Sequence, residues 1–373
     1  MNAVANARDI TFALEPRPQL DSLERTWRDL DRTGSHSFFL TWTWVGTWLK
    51  SLAPSVAPML LKAMQGPKIV GLALLTLKHG TQWSLFPRNQ AWLNSAGDPA
   101  LDCITIEHNG FATPGTWDDR WWPALVEWFA AGSGLADELA LSGVASESLA
   151  ETRPNLIRVE HRDPAYRTPL RGITAEEGIE PLLSRNARHQ LRRSIRDYER
   201  EGPLRLDVAH DLETGLEFFA RLKTLHVRSW NRRGRHHAFH HPFFETFHRA
   251  LIAAGFTDGN VDLLQVSAGQ RTLGYLYNFR RNGTVFSYQS GFDDAAPGMR
   301  PGYVCHAMAM AHYAAAGMST YDFLAGSNQL KQSFGTEKYA LRWIHFQKPT
   351  VAFRAEQLAR TTLGLLKRRN ARN

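Results

Sequence analysis

The sequence predicts an α+β (mixed α/β) fold of two tandem halves, each a mostly antiparallel central sheet flanked by helices. Three observations predict it. One order of elements (strand, two helices, three strands, helix, strand) can be traced twice along the 373 residues. The three middle strands of the second half are separated by Gly-containing turns, Ala268-Gly269-Gln270 and Asn282-Gly283, which is a hairpin signature. Residues 284–324 complete the pattern: a β-branched and aromatic strand (284–290), a loop holding three Gly, two Pro and Arg300, an Ala/Met-rich helix closed by Gly317, and a second short strand.

In chain order, a first strand is expected at 10–15 and a helix at 20–30, where Leu20, Leu23, Trp27 and Leu30 keep helical spacing. An aromatic helix follows at 38–52, with Trp42, Val45 and Trp48 on one side. Strands are expected at 59–64, 69–77 and 83–86, then an irregular Gly/Pro/Asp stretch at 94–116, a helix at 117–131, and strands at 138–141 and 156–159. The order then repeats. A strand at 204–208 precedes a long helix at 212–230, striped by Leu216, Phe219, Leu222 and Leu225, and a helix at 243–254. Strands at 261–266, 272–279 and 284–290 lead to the loop, the helix at 303–316, the strand at 319–324, a short helix near Gln329 and a last strand at 343–346. The expected partition is 1–170 for an N-terminal half, 171–202 for a basic connecting helix, 203–350 for the second half and 351–373 for a basic C-terminal helix or tail.

Composition bounds the function. Hydrophobic content of 43% and charged content of 21% are those of a soluble globular protein. No apolar run is long enough to span a bilayer, and the first residues lack the pattern of a signal peptide, so a cytoplasmic protein is expected. Cys103 and Cys305 stand far apart, which excludes a disulfide framework and fits a reducing compartment. A net charge of +8 favours a partner or substrate that carries negative charge, such as nucleic acid, coenzyme phosphates, nucleotide-sugars or anionic lipid.

Chemistry concentrates in the second half. A Gly/Pro loop opening a helix is suited to phosphate, because the helix N-terminus carries partial positive charge and Arg300 is a bidentate donor; an ordinary βα turn is the alternative. The helix at 182–202 has Leu183, Ala187, Leu191, Ile195 and Tyr198 on one face and six arginines on the rest. It is either a packed helix with a solvated basic face or an anion rail. The run 232–241 has His236/His240 and His237/His241 at i, i+4, yet Pro242 follows at once and no acidic or Cys ligand is interleaved, so no metal site is expected. Ten of the twelve Trp precede Ala130, as an aromatic core or as a groove for an acyl chain or sugar.

The order of elements resembles the GNAT acyltransferase fold. The residues resemble its CelD-like (cellulose-biosynthesis-type) family, related to the FemAB aminoacyltransferases. The marks are Trp44, Leu225-His226 with Trp230 and Arg233-Gly234, Gly291-Phe292 with Pro301-Gly302, and Tyr321-Asp322-Phe323-Leu324-Ala325-Gly326 followed by Lys331. Where that family often has an acidic residue after Gly326 and an aromatic before Lys331, this chain has Ser327 and Leu330, and the Q/R-x-x-G-x-G/A loop common in the fold is absent.

The resemblance implies two GNAT-like domains, the first degenerate and structural or acceptor-binding, the second holding the donor thioester. It implies acyl transfer from acyl-CoA, or from an acyl carrier protein, to an amine or hydroxyl of a small molecule, sugar intermediate or peptide, with no metal. The donor is expected against Gln289, Ser290, Gly291, Phe292, Gly298, Arg300, Pro301 and Gly302, and the acceptor beside Trp230, Arg233 and Trp44. His226 is the first expected base and Asp322 the second. Tyr288 is expected as the acid for the leaving thiolate, and Lys331 as a partner of Asp322 or of phosphate. Each has a structural alternative: a surface His, a loop-fixing carboxylate, a half-buried strand Tyr, a surface Lys. Two other functions stay open, a FemAB-like aminoacyltransferase using charged tRNA and a non-catalytic nucleic-acid-binding protein.

Overall fold

Period-two apolar runs become strands and period-3.6 stripes become helices, most with longer ends than the apolar runs alone mark. A computed structural model describes residues 10–82, 86–116, 119, 121–132, 134–146, 149, 156–174, 178–294, 298–351 and 353–355. The elements are β1 (Ile10–Glu15), α1 (Leu20–Thr33), α2 (Trp42–Ser51), β2 (Met59–Gln65), β3 (Lys68–Gln82), β4 (Phe86–Leu93), α3 (Trp121–Ala131), β5 (Glu138–Val144) and β6 (Ile157–Pro169). They continue with α4 (Arg185–Glu199), β7 (Leu204–Val208), α5 (Leu212–Arg232), α6 (Pro242–Asp258), β8 (Val261–Ala268), β9 (Arg271–Arg281) and β10 (Thr284–Phe292). The last are α7 (Pro301–Ala315), β11 (Thr320–Ala325), α8 (Gln329–Phe334) and β12 (Glu337–Gln347). Of the strand expected at 83–86, residues 83–85 lie outside the described residues; so do Trp117 of the expected third helix and the expected C-terminal helix beyond residue 355.

The chain forms two compact units. One comprises the described residues up to His36, Leu52–Arg162 and those from Arg342 on; the other comprises Ser37–Ser51 and Asp163–Leu341. In the first unit β1, β2, β3 and β4 pair antiparallel in sequence, β4 pairs parallel with β5, and β5 pairs antiparallel with β12. In the second, β7, β8, β9 and β10 pair antiparallel, β10 pairs parallel with β11, and β11 pairs antiparallel with β6. The two sheets thus repeat one pairing pattern, but their sixth strands are exchanged: β6 of the first half, from Asp163 on, completes the second unit, and β12 from Arg342 on completes the first. Helix α2 also belongs to the second unit, where it packs on α6. The contiguous partition at 170 and 203 does not describe these units. Element order reveals that an architecture occurs twice; it does not reveal which unit a strand's hydrogen bonds go to.

Each unit has its own core. The first buries Phe111, Trp122, Phe129, Leu139 and Ile344 among others, and the second Leu191, Tyr198, Leu276, Val304, Met310 and Tyr321. Helix α4 is part of the second core. Ser184 caps it by accepting from the Ala187 N–H, and Ala187, Leu191, Ser194 and Tyr198 form its buried face. Of its arginines, Arg192 pairs with Glu180 at 2.6 Å, Arg200 with Asp197 at 3.2 Å, and Arg188 donates to the Glu180 and Leu183 carbonyls. Much of the basic face is therefore satisfied within the unit.

Helix α5 aims the site residues. Asp211 caps it by accepting from the Thr214 N–H at 2.8 Å. Its buried face runs Gly215, Phe218, Phe219, Leu222, His226 and Ser229, so the apolar stripe that anchors it ends in two polar side chains on the same face. The approach of α5 to β10 is close: a Cβ on Gly291 would lie 2.3 Å from the Leu222 carbonyl oxygen. Gly291 is thus required by packing, a role beyond the donor contact expected of it. Among the described residues no helix is long and apolar enough to cross a membrane.

Candidate active site

Strands β10 and β11 keep parallel register only from Thr284/Thr320 to Phe286/Asp322. Beyond that pair they part, and β10 carries a bulge: Ser287 faces Asn278 while Gln289 faces Tyr277, which leaves Tyr288 as the extra residue. A cavity of about 520 Å³ opens there in the second unit, lined by Ser287 to Phe292, the end of α5, the start of α7, Phe323 and α8. Of the expected residues, His226, Tyr288, Lys331, Gln289, Ser290, Gly291, Phe292, Arg300, Gly302, Trp230 and Arg233 line it.

His226 is buried, with its Nδ1 2.9 Å from the Ser290 carbonyl oxygen. A carbonyl only accepts, so Nδ1 carries the proton and Nε2 presents a lone pair. No other hydrogen bond holds the ring among the described residues; Trp230 stacks on it at 5.2 Å. Burial pushes its pKa down to about 4, against the Ser290 bond that raises it, with His237 and Arg233 adding to the fall. The imidazole is therefore neutral at pH 7, in the tautomer a general base needs.

Tyr288 is held from behind. Its hydroxyl lies 3.2 Å from Nε2 of His248, whose Nδ1 is 3.3 Å from the Tyr277 hydroxyl. His248 is fully buried, and burial keeps its pKa well below the ordinary value and that of Tyr277 well above. The enclosed Tyr277 hydroxyl has His248 as its hydrogen-bond partner among the described residues, so its proton goes to Nδ1. The His248 proton then sits on Nε2 and is donated to the Tyr288 oxygen. The hydrogen of Tyr288 must point away from His248, which makes Tyr288 a donor.

At the other end Arg300 adopts φ 49° and ψ 59°, left-handed, as the N-cap of α7, and Pro301 takes the first turn without an N–H to satisfy. No side chain caps this helix. A Cβ on Gly302 would meet Leu330 and Phe292 at 3.1 Å, so the backbone faces the cavity only because nothing larger stands there. The guanidinium of Arg300 lies 5.2 Å above the Tyr303 ring and makes no ion pair among the described residues. From α8, Lys331 donates to the carbonyls of Leu324 and Ala325. The uncapped N-terminus with Arg300 and Lys331 has the donors and charge that a pyrophosphate needs.

Asp322, Trp44, Gly298 and Pro301 do not line the cavity. Asp322 is 2% exposed; its Oδ1 accepts the Leu324 N–H at 2.8 Å, and both its oxygens accept the Tyr339 hydroxyl at 2.8 Å. Leu324 has φ 62°, so this carboxylate holds the strained residue that begins the turn into α8. The geometry matches the loop-fixing alternative. Replacing Asp322 by Ala is expected to leave the buried Leu324 N–H unpaired and to take a partner from the half-buried Tyr339 hydroxyl, lowering unfolding free energy by about 1–3 kcal/mol in urea titration. Lost turnover at unchanged stability would instead make it catalytic. Trp44 is buried against Phe247, Phe279 and Tyr288, at 5.0, 5.9 and 6.0 Å, and acts on the site through that packing. Pro301 is buried in the first turn of α7.

Several residues of the site escaped the sequence reading: His306, Ser229, Ser287, Tyr303, Asn328 and Gln329 line the cavity, and His248 supports it. His306 bonds the Tyr321 hydroxyl through Nδ1 at 3.0 Å; burial, then Lys331, push its pKa down to about 3. The available signal was a polar side chain on an otherwise apolar helix face, at His306 and at His248 alike. Among the described residues no three His, Cys, Asp or Glu side chains are grouped to hold a metal ion.

Residues 185–332 match the family model of the acetyltransferase (GNAT) domain, and every residue that lines the cavity falls inside that span. The whole chain is similar in fold to FemX, with a TM-score of 0.54 at 11% identity over 90% of this chain and 96% of that one. It is also similar to the C-terminal DUF2156 domain of a putative lysylphosphatidylglycerol synthetase from Agrobacterium fabrum, with a TM-score of 0.53 at 11% identity over 92% and 97%. A conserved protein of unknown function from Bacteroides thetaiotaomicron VPI-5482 gives 0.50 at 11% identity over 91% and 100%. No curated protein matches. The chain has the α+β fold of two tandem GNAT-like units, and these similarities fit it.

Proposed function

We propose that the chain is a GNAT-type acyltransferase, of the CelD-like branch, that moves an acyl group from acyl-CoA to an amine or hydroxyl of a small molecule, sugar intermediate or peptide in the cytoplasm. The observation that carries this reading is one cavity with a neutral, tautomer-fixed His226 at one end and the uncapped start of α7 with Arg300 at the other. The thioester lies along β10 past the bulge, where backbone N–H groups face the carbonyl oxygen. The acceptor gives its proton to Nε2 of His226 as its lone pair bonds the thioester carbonyl carbon. The carbon–sulfur bond then breaks, and coenzyme A leaves as a thiolate that takes a proton from the Tyr288 hydroxyl. Solvent restores the proton to Tyr288 and removes the one on His226.

A second reading uses aminoacyl-tRNA as the donor. It is favoured by α4, on which Arg185 and Arg196 make no ion pair among the described residues. Unfolding measured with free coenzyme A, acetyl- and long-chain acyl-CoAs, an acylated carrier protein and total tRNA separates these donors. A ligand at 100 times its Kd adds about 2.7 kcal/mol to a two-state unfolding free energy. Stabilisation by one acyl-CoA class supports the first reading and defines the chain length. Stabilisation by tRNA alone replaces it with the second, or with nucleic-acid binding if no aminoacyl transfer follows.

A further inference from the structure

The cavity is charged with one sign. Among the described residues its lining carries Arg233, Arg300 and Lys331 and no Asp or Glu. Arg300 and Lys331 belong to the α7/α8 end. Arg233 stands apart from them as the C-cap of α5, seven residues after His226, or about 10 Å along the helix axis.

The nearby carboxylates are already engaged. Asp293 pairs with Arg228 at 2.7 Å and with Arg271 at 3.1 Å. Asp294 pairs with Arg232 at 3.3 Å and accepts the Ser229 hydroxyl at 2.7 Å. Arg233 has only neutral partners: its Nε donates to the Ser229 carbonyl at 3.1 Å, its Nη2 donates to the Ser229 hydroxyl, and its guanidinium lies 5.9 Å from the Trp230 ring centre. These contacts orient the guanidinium and leave its charge uncompensated among the described residues.

His237 provides an independent observation. Its ring meets that of His226 edge to face at 5.8 Å, it is 8% exposed, and among the described residues neither ring nitrogen has a hydrogen-bond partner. Buried polar atoms without partners mark a place that something else completes.

We propose that the acceptor is an anion. Its carboxylate or phosphate is bound by Arg233 with His237 beside it, several bonds from the amine or hydroxyl that it presents to His226. The proposal rests on the acyl-transfer reading above. Burial is the main cause of the lowered His226 pKa; an anion at Arg233 offsets only the smaller part that Arg233 adds.

The test begins with the coenzyme-A-saturated protein, to which inorganic phosphate and acetate are titrated by calorimetry for wild type, Arg233→Gln, Arg233→Lys and His237→Asn. Turnover is then measured on matched pairs, glucosamine against glucosamine 6-phosphate and a dipeptide amide against the free-carboxylate dipeptide. Wild type is expected to bind at least one of the anions. Arg233→Gln should weaken that binding at least tenfold, Arg233→Lys should restore part of it, and His237→Asn should weaken it to a lesser degree. The anionic member of a pair should lead at least tenfold in kcat/KM through KM, with the lead falling to within about twofold in Arg233→Gln. The sugar and peptide arms tell phosphate from carboxylate. Equal use of neutral and anionic acceptors, a preference that survives Arg233→Gln, or no anion binding to wild type overturns the proposal. If no acceptor in the panel turns over, the anion titration decides alone. Failure of the acyl-transfer reading shows separately, as absence of coenzyme A binding at the first step.

Discussion

Replacing His226 by Gln is expected to lower kcat for acyl transfer by about 10²–10⁴-fold, the range of a lost general base, with coenzyme A affinity within about twofold of wild type. Gln keeps an N–H that can donate to the Ser290 carbonyl, so the contact between α5 and β10 survives while the lone pair of Nε2 is lost. Ala is the poorer choice, since it leaves the buried carbonyl unpaired and a void beneath Trp230. The pH profile carries the sign. The active form of His226 is the neutral one, and its pKa is pushed down to about 4, so kcat/KM should hold between pH 8 and 5 and fall only as the pH approaches 4. A kcat for His226→Gln within threefold of wild type, at equal thermal stability, would remove His226 from the chemistry.

The fold was largely legible because its signals are local. Alternating β-branched and aromatic residues at 284–290, the turns at Gly269 and Gly283, and the stripe of α5 each specify one element without reference to the rest. The exchange of β6 and β12 was not legible, because a strand's own residues do not encode which neighbour takes its hydrogen bonds. In the site, the Gly/Pro loop, Arg300 and His226 could be read because their residue types are unusual for a turn and for a helix face. Asp322 could not be decided between base and loop-fixing carboxylate: a carboxylate at a strand end looks alike whether it faces a cavity or, as here, the Leu324 N–H and the Tyr339 hydroxyl. Trp44 was assigned to the acceptor because aromatic residues line grooves and cores equally well; only packing separates the two uses. The bulge at Tyr288 comes from one extra residue, and Ser-Tyr-Gln-Ser gives no sign of where the register slips. His248 was missed because its function depends on two tyrosines 29 and 40 residues away.

The same buried histidines predict how acid affects the second unit. His226 and His306 have folded pKa values of about 4 and about 3, against an ordinary value of 6.5. A lowered histidine pKa means that the unfolded chain binds the proton first, so stability is full above pH 6.5 and is lost as pH falls below it. At pH 5 each group has lost about 1.5 pH units of linkage, or about 2 kcal/mol, and the two together about 4 kcal/mol. His248, also held well below its ordinary value by burial, acts in the same direction. Asp262 opposes them, because burial raises its pKa and a retained proton favours the folded state as pH falls. Glu138 in the first unit, held at about 2 by His345, Arg88 and Gln347 against the burial that raises it, contributes stability that is lost only below its ordinary 4.5. The window from pH 7 to 5 thus leaves Glu138 out and reports the histidines, less whatever Asp262 returns. Urea unfolding followed in the second unit at pH 7, 6 and 5 should show a fall of about 4 kcal/mol, and His306→Gln should reduce that fall by about half. A flat profile would mean that these rings take up protons in the folded state, and it would remove the basis for treating His226 as a neutral base at pH 5.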